Sequence, residues 1–209
     1  MEDKTLIGDL RIENELIRDI APSLQPEDGD EVIDVSGKYG LPGIIDAHVH
    51  YKMPIERVYT IDNFETGSRA ALCGGVTTVI DYAEPRKGLS LLESLDYRVK
   101  EAQGHNFVDF TVHMTLAGNS PYTLEDLKQF RKYGVNSLKL YTTYGFIIGY
   151  DAIFEVLRQA AKAGLVVTIH AEDHQIVADA VRELKESGRT GVEYHSVSRP
   201  SQAEYQAVE

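Results

Sequence analysis

Short β-branched segments alternate with longer amphipathic segments over most of this 209-residue chain, and this order constrains the fold more than any other feature. From residue 43 onward we predict five strand-then-helix units in series, followed by the start of a sixth helix at Pro200. The predicted strands are GIIDAHV, VTTVIDY, FTVHMTL, VNSLKLY and LVVTIHA. Alternation of this kind predicts parallel strands joined by right-handed crossover helices.

A doubly wound open sheet and a (β/α)8 barrel both fit this pattern. An open sheet collects functional residues at one switch point, whereas a barrel takes them from the C-terminal ends of successive strands. Polar candidates follow the first, fourth and fifth strands, so we predict an α/β protein with a partial (β/α)8 TIM barrel. Residues 1–42 look β-rich, with EVIDV as one short strand, and we expect part of a small β-sandwich domain there. Residues 43–209 form the predicted barrel part, which ends before strand 6.

Composition narrows the class of partner. The formal charge of −12 disfavours binding to nucleic acid or to an anionic membrane surface. The opening MEDKTLIGDL lacks the pattern of a signal peptide, and the single cysteine excludes an intrachain disulfide. We therefore expect a cytoplasmic protein that acts on a small molecule, without a nucleic-acid or membrane partner.

The segment GIIDAHVH places His48 and His50 two residues apart at the end of the first predicted strand. On a strand this spacing points both imidazoles to one face, where neutral imidazoles suit a divalent zinc ion. The other interpretation is one buried, hydrogen-bonded histidine and one histidine in a solvent-facing loop. Asp46 is a candidate for orienting a ligand from outside the coordination shell, or it simply ends the strand.

The fourth and fifth strands add Lys139 and His170. Leu138 and Leu140 flank Lys139 on the opposite face, so its side chain should point into the barrel. Burying a lysine is costly unless its chemistry changes, for example by carbamate formation, although an amine at a strand end can also reach water. Three strands would then bring imidazole, amine and imidazole to equivalent depths.

Four segments together resemble the metal-dependent amidohydrolase superfamily: LPGIIDAHVH, GSRAALCGGVTTVIDYAEP, SLKLYTTY and VVTIHAED. The similarity is greatest to the cyclic-amide branch, which contains dihydropyrimidinase and hydantoinase. It implies two divalent metal ions, with zinc expected, and a carboxylated lysine that bridges them. His48 and His50 would bind the first metal, Lys139 would bridge both metals, and His170 would bind the second. Tyr144, five residues after that lysine, would be a catalytic residue that contacts the substrate carbonyl oxygen.

The resemblance implies a hydrolase that opens the C–N bond of a dihydropyrimidine or hydantoin to give an N-carbamoyl amino acid, and it implies a homotetramer. Lys52 stands where dihydroorotases usually carry an arginine, which favours the hydantoinase pattern. Allantoinase or a dihydroorotase-like activity stays open. A non-catalytic scaffold relative is the third alternative, disfavoured because four ligand positions are filled.

The superfamily also takes a histidine from the sixth barrel strand and an aspartate from the eighth, and the 209 residues contain neither strand. We therefore expect a truncated chain, a fragment or a split protein that is inactive alone. Its first and fifth strands would have unpaired edges, so we expect poor solubility or dependence on a partner that covers them.

Overall fold

The computed structural model describes residues 5–55, 58–118 and 120–209. The chain divides into two compact units, Met1–Pro42 and Gly43–Glu209. Residues 1–4, which the first predicted domain included, lie outside the described residues. No helix within the described ranges has the length and apolar character that crossing a bilayer requires.

The first unit contains one antiparallel hairpin, formed by β1 (Asp9–Glu13) and β2 (Leu16–Ala21). Asn14 and Glu15 form its two-residue turn, with φ of 50° and 66°, the left-handed conformation that such tight hairpins need. The predicted strand EVIDV is wrong, because residues 31–35 adopt no strand. An apolar alternating segment becomes a strand only where a partner pairs with it, and β1 pairs with β2 instead.

The second unit follows the predicted alternation of strands and helices. Its elements are β3 (Ile44–Asp46), β4 (Pro54–Ile55), β5 (Val58–Tyr59), α1 (Phe64–Cys73), β6 (Val76–Ala83), α2 (Leu91–Ala102), β7 (Asp109–Thr115), α3 (Leu124–Lys132), β8 (Ser137–Tyr141), α4 (Tyr150–Ala163), β9 (Val166–His170), α5 (His174–Glu186) and α6 (Ser201–Val208). The small antiparallel pair β4 and β5 was not predicted.

The five main strands form one parallel sheet in the order β3-β6-β7-β8-β9. Each strand pairs with the next one along the chain, and the order never reverses, which excludes a doubly wound sheet. Two hydrogen bonds of the His113 ring show that the sheet is curved. From β7 this ring contacts both the carbonyl of Ala47, after β3, and the hydroxyl of Ser137 on β8. These features confirm the predicted α/β fold, a partial (β/α)8 barrel.

The helix boundaries follow local sequence signals. The side chains of Asn63, Ser90 and Thr123 each accept a hydrogen bond from the backbone N–H of the third residue of α1, α2 and α3. The side chain of that third residue accepts in turn from the backbone N–H of the capping residue. The carboxylate of Asp173 caps α5 by accepting from the backbone N–H of Ile176, without a returned bond. Gly164, with φ of 70°, ends α4 where a left-handed residue is required, as the sequence predicted.

The core lies between the sheet and its helices. Leu138 and Leu140 of β8 are fully buried there against Phe130 of α3 and Val156 of α4. Because strand side chains alternate, residues 137, 139 and 141 face the opposite, concave side of the sheet. The polar residues of β8 are therefore directed away from the helices.

Both outer strands of the sheet expose apolar side chains. Ile44 and Ile45 on β3 are 58% and 62% exposed, and Val166 on β9 is 65% exposed. Within the described residues, β3 pairs only with β6 and β9 pairs only with β8. The sheet therefore has two open edges with hydrophobic character.

Candidate metal centre

The two histidines of GIIDAHVH lie just beyond a strand, so the strand predicted to reach Val49 was too long. β3 ends at Asp46, whose Oδ1 accepts a hydrogen bond of 3.1 Å from the backbone N–H of His48. The chain then continues beside β6, since the N–H of Val49 donates to the carbonyl of Ile80 at 3.1 Å. Asp46 thus holds the backbone of the loop, and no hydrogen bond joins it to an imidazole of the described residues.

The two imidazoles converge despite this early strand end. Nε2 of His48 lies 3.2 Å from Nε2 of His50. Two imidazole nitrogens bound to one tetrahedral zinc at about 2.0–2.1 Å would stand roughly 3.3 Å apart, so the spacing fits a shared metal ion.

Electrostatics keeps this pair neutral. Burial, the neighbouring His48 and the Lys139 charge lower the pKa of His50 to about 4. Burial, followed by the Lys139 charge, also lowers the pKa of His48. Neutral imidazoles carry the lone pairs that a metal needs. Nδ1 of His50 is buried without a hydrogen-bond partner among the described residues, which leaves Nε2 as the nitrogen directed at its neighbour.

The ring of Tyr82 on β6 lies near both the histidine pair and Lys139. Its ring stacks on His50 with centroids 4.5 Å apart and lies 4.9 Å from the His48 ring. Nζ of Lys139 is 5.8 Å from the same ring. Lys139 is only 6% exposed, and burial lowers the pKa of its amine. The amine therefore lies on the concave side of the sheet with the two histidines.

Tyr141 connects Lys139 to His170 in a similar way. Nζ of Lys139 lies 5.0 Å from the Tyr141 ring, which stacks on the His170 ring with centroids 5.8 Å apart. The paired registers of β8 and β9 place Tyr141 opposite His170. Burial raises the pKa of Tyr141 to about 12, so its hydroxyl remains protonated.

Tyr144 begins a short 3-10 turn after β8. Its φ of 63° is unusual for a bulky residue, and such backbone strain tends to concentrate at functional sites. Its ring lies 5.1 Å from the His170 ring, and burial raises the pKa of its hydroxyl. The phenol therefore stays a hydrogen-bond donor next to His170.

Sequence reasoning missed the residues that hold His170. Nε2 of His170 lies 2.5 Å from Oε2 of Glu172, and that same oxygen accepts from Nη1 of Arg199 at 3.0 Å. Glu172 belongs to the motif HAED, so its position two residues after a candidate ligand was a usable signal. Arg199 precedes α6, and no spacing in the sequence indicates that its side chain contacts Glu172.

A buried ion pair anchors the histidine loop, which is the segment 47–51 that follows β3. Asp81 on β6 is 1% exposed, accepts from Nη2 of Arg98 on α2 at 2.8 Å, and also accepts from the backbone N–H of Tyr51. The Arg98 guanidinium also donates to the carbonyl of Tyr51, the residue after His50. Burial raises the pKa of Asp81 although Arg98 opposes the shift.

His113 is a hydrogen-bonded core residue. Its Nε2 donates to the Ala47 carbonyl at 3.0 Å, and its Nδ1 accepts from the Ser137 hydroxyl at 2.5 Å. Both ring nitrogens are therefore occupied by protein groups. His113 holds the start of the histidine loop against the centre of the sheet.

Lysine is essential to the predicted ligand set. Among residues 5–55, 58–118 and 120–209, no three His, Cys, Asp or Glu side chains form a group that could hold a metal ion. The structure brings His48 and His50 together, with Lys139 and His170 connected to them through two tyrosine rings. The predicted centre depends on a modified Lys139 to supply oxygen ligands.

Comparison with known proteins gives consistent results. Residues 39–198 match the model of the amidohydrolase family. The chain is 31% identical to dihydropyrimidinase from Dictyostelium discoideum, over 99% of this chain and 42% of that protein. It is also 31% identical to D-phenylhydantoinase from Escherichia coli O1:K1, over 96% of this chain and 44% of that protein.

The crystal structure of dihydropyrimidinase from Brevibacillus agri aligns with a TM-score of 0.88 and 33% identity, over 95% of this chain and 43% of that chain. The chain thus spans less than half the length of the relatives that it matches. The family match covers the whole parallel sheet and every candidate ligand, in agreement with the resemblance of the four motifs. On this basis the chain belongs to the amidohydrolase family.

Proposed function

We propose that this chain contributes to the metal-dependent hydrolysis of a C–N bond in a cyclic amide, either a dihydropyrimidine or a hydantoin, with an N-carbamoyl amino acid as product. The observation that carries the proposal is the convergence of two neutral imidazoles, 3.2 Å apart at Nε2, on the concave side where the buried Lys139 amine lies. The relatives named above, a dihydropyrimidinase and a D-phenylhydantoinase, support this substrate class.

His48 and His50 would hold one metal ion, and His170 would hold the other. Burial lowers the pKa of Lys139 and so favours the neutral amine. A neutral amine can add carbon dioxide and release a proton, which gives a carbamate with two anionic oxygens that can bridge two ions. Divalent metals held in this way, with zinc expected, would polarise the scissile carbonyl and lower the pKa of water.

Tyr144 would act on the substrate carbonyl. Its hydroxyl, kept protonated by burial, can donate a hydrogen bond to the oxyanion that develops during attack. One such donor is typically worth about 3–4 kcal/mol of transition-state stabilisation. The left-handed backbone of Tyr144 would fix the direction of this donor before substrate binds.

Lys52 supports the dihydropyrimidinase or hydantoinase interpretation over a dihydroorotase-like one. Its amine lies 3.5 Å from the carboxylate of Glu101 on α2. A lysine amine with this partner lacks the planar, two-pronged guanidinium with which an arginine binds a carboxylate. The homotetramer implied by the resemblance and the cytoplasmic location stay predictions from the sequence.

Removal of the Lys139 amine tests the proposal. The purified chain, which we expect to lack turnover on its own, is incubated with Zn²⁺ and bicarbonate, and bound zinc is measured by mass spectrometry. Where the natural gene continues past Glu209, ring opening of dihydrouracil and 5-phenylhydantoin is measured on the longer product that carries the same variants. We expect Lys139→Ala to lose bound zinc and all metal-dependent turnover, with partial recovery of both in small carboxylic acids that replace the carbamate.

Lys162→Ala is the matched control, because Lys162 is an exposed lysine on the outer helix α4. This variant should keep wild-type zinc content and turnover. Undiminished zinc binding and turnover in Lys139→Ala would refute the carbamate and the proposed centre with it.

A further inference from the structure

Glu172 occupies a position between His170 and Arg199. Its Oε2 is 2.5 Å from Nε2 of His170 and 3.0 Å from Nη1 of Arg199. The side chains of Glu172 and Arg199 are only 14% and 22% exposed, so this contact is better shielded than an ordinary surface pair. A carboxylate accepts hydrogen bonds only, so Nε2 of His170 must carry a proton here.

A protonated Nε2 determines the chemistry of the other ring nitrogen. In the neutral imidazole only one nitrogen carries a proton, which leaves the lone pair on Nδ1. Nδ1 of His170 makes no hydrogen bond to any residue that the structure describes. Carboxylates that hold the far nitrogen of a metal-binding histidine fix the tautomer and raise its basicity as a ligand.

The backbone of Glu172 is fixed independently of its side chain. The Thr142 hydroxyl accepts from the N–H of Glu172 at 2.9 Å and donates to the Glu172 carbonyl at 2.7 Å. Thr142 directly follows β8, so the sheet sets the position of the backbone that carries the carboxylate.

Arg199 extends this arrangement to Tyr144. Its guanidinium carbon lies 4.6 Å from the centroid of the Tyr144 ring, a cation–π distance. The segment that carries Arg199 is tied to the site, because the N–H of Asp173 donates to the carbonyl of Ala203 in α6 at 2.8 Å. One arginine therefore contacts the carboxylate next to His170 and the ring of Tyr144.

We propose that Glu172 and Arg199 are positioning residues: Glu172 holds His170 in the tautomer that presents Nδ1 to a metal, and Arg199 fixes both Glu172 and the Tyr144 ring. This inference rests on the proposed metal centre for its purpose, but not for its structural test. The rival explanation is an ion pair that only fastens α6 to the barrel.

The tautomer is read without metal by ¹⁵N NMR of the histidine ring nitrogens, at about pH 8, with His170→Gln used to identify the signals. We expect wild-type His170 to be protonated at Nε2. Glu172→Ala should convert the ring to a mixture of tautomers, and Arg199→Ala should do so partly. Arg199→Lys should restore the wild-type signal, because its amine can replace the single Nη1 contact with Glu172. A role limited to fastening α6 would leave the tautomer of His170 unchanged in all of these variants.

Arg182→Ala is the matched control. It removes an arginine that pairs with Asp179 on the surface of α5, and the His170 signals should not change. The other six histidines of the chain report whether each variant is folded. If Glu172→Ala fails to fold, Glu172→Gln takes its place in the test. This variant keeps the size of the side chain and an acceptor oxygen, and it should retain the Nε2–H form of His170. An Nδ1–H tautomer in the wild type, or insensitivity to Glu172→Ala, overturns the proposal.

Zinc titration separates this inference from the proposed function. Loss of the carboxylate should weaken zinc binding by roughly 10–100-fold, the range typical for residues that orient a ligand. Wild-type affinity in a folded Glu172→Ala chain would overturn the positioning role. A wild-type chain that binds no zinc, yet keeps a Glu172-dependent Nε2–H tautomer, would refute the metal centre and support the tautomer assignment.

Discussion

Gly67 of α1 limits where the histidine loop can end. A β-carbon at this position would lie 2.2 Å from Cε1 of Tyr51, the residue that follows His50. The Tyr51 ring is 7% exposed and packs edge-on against Phe64 with centroids 5.6 Å apart. Alanine is favoured over glycine inside a helix by about 1 kcal/mol, but overpacking a close contact costs about 1–3 kcal/mol. The steric cost should exceed the gain because the ring is enclosed.

We therefore expect Gly67→Ala to lower the free energy of unfolding by about 1 kcal/mol, measured by urea denaturation. Gly40→Ala is the control, because a β-carbon there has open space and no positive φ. That variant should change stability by less than about 0.5 kcal/mol. A stabilised Gly67→Ala chain would mean that Tyr51 moves freely and does not fix the loop.

Strand alternation predicted which residues share the concave face, but not the contacts that hold them. Lys139 lies opposite to Leu138 and Leu140, as period two requires. The contact of Arg199 with Glu172 joins residues 27 positions apart through a loop, and neither periodicity nor spacing encodes such a contact.

At the scale of secondary structure, an ion pair between β6 and α2 holds the loop that follows β3. Arg98 and Asp81 have side chains 10% and 1% exposed, and Arg98 also lies 4.5 Å from the centroid of the Phe64 ring. Removal of one partner of a buried pair leaves an uncompensated charge, which typically costs about 3–5 kcal/mol. The pair therefore links a strand, a helix and the loop that carries His50.

Arg98→Met should lower the free energy of unfolding by about 3–5 kcal/mol, measured by chemical denaturation. Arg158→Met is the control, because Arg158 forms an exposed pair with Glu155 on α4 and should cost at most about 1 kcal/mol. Adding Asp81→Leu to Arg98→Met should recover much of the loss, since both charges are then absent. Equal losses in Arg98→Met and Arg158→Met would contradict the anchoring role.

Local signals predicted the helices better than the strands. Thr123 begins α3 and Gly164 ends α4, as the sequence predicted. Such limits can be predicted because capping depends on residues only a few positions apart. Residues 31–35 have the composition of a strand but lack a paired neighbour, and β3 ends at Asp46 because its side chain binds the next loop. Pairing partners lie far along the chain, so strand limits depend on contacts that a local pattern does not contain.

At the scale of the whole molecule, the two open edges of the parallel sheet govern solution behaviour. Among the residues that the structure describes, the outer edges of β3 and β9 have no pairing strand and carry exposed apolar side chains, a combination that favours strand pairing between chains. The expectation of poor solubility, or of a partner that covers these edges, therefore has a structural basis in both strands.

We expect the chain to associate at micromolar concentration, measured by light scattering after gel filtration. The double variant Ile45→Lys and Val166→Lys should shift the population toward the monomer, because charges on edge strands oppose pairing. Val192→Lys is the control, since Val192 is 89% exposed in a 3-10 turn and outside the sheet. A wild-type chain that is monodisperse and monomeric, with cooperative unfolding, would contradict this expectation.

The tyrosines around Lys139 also give the protein an optical property. The chain contains no tryptophan, so its ultraviolet emission comes from twelve tyrosines. Three of these, Tyr82, Tyr141 and Tyr144, lie against the candidate ligands. A paramagnetic ion such as Co²⁺ at this site would quench their fluorescence, so occupancy can be followed without a label.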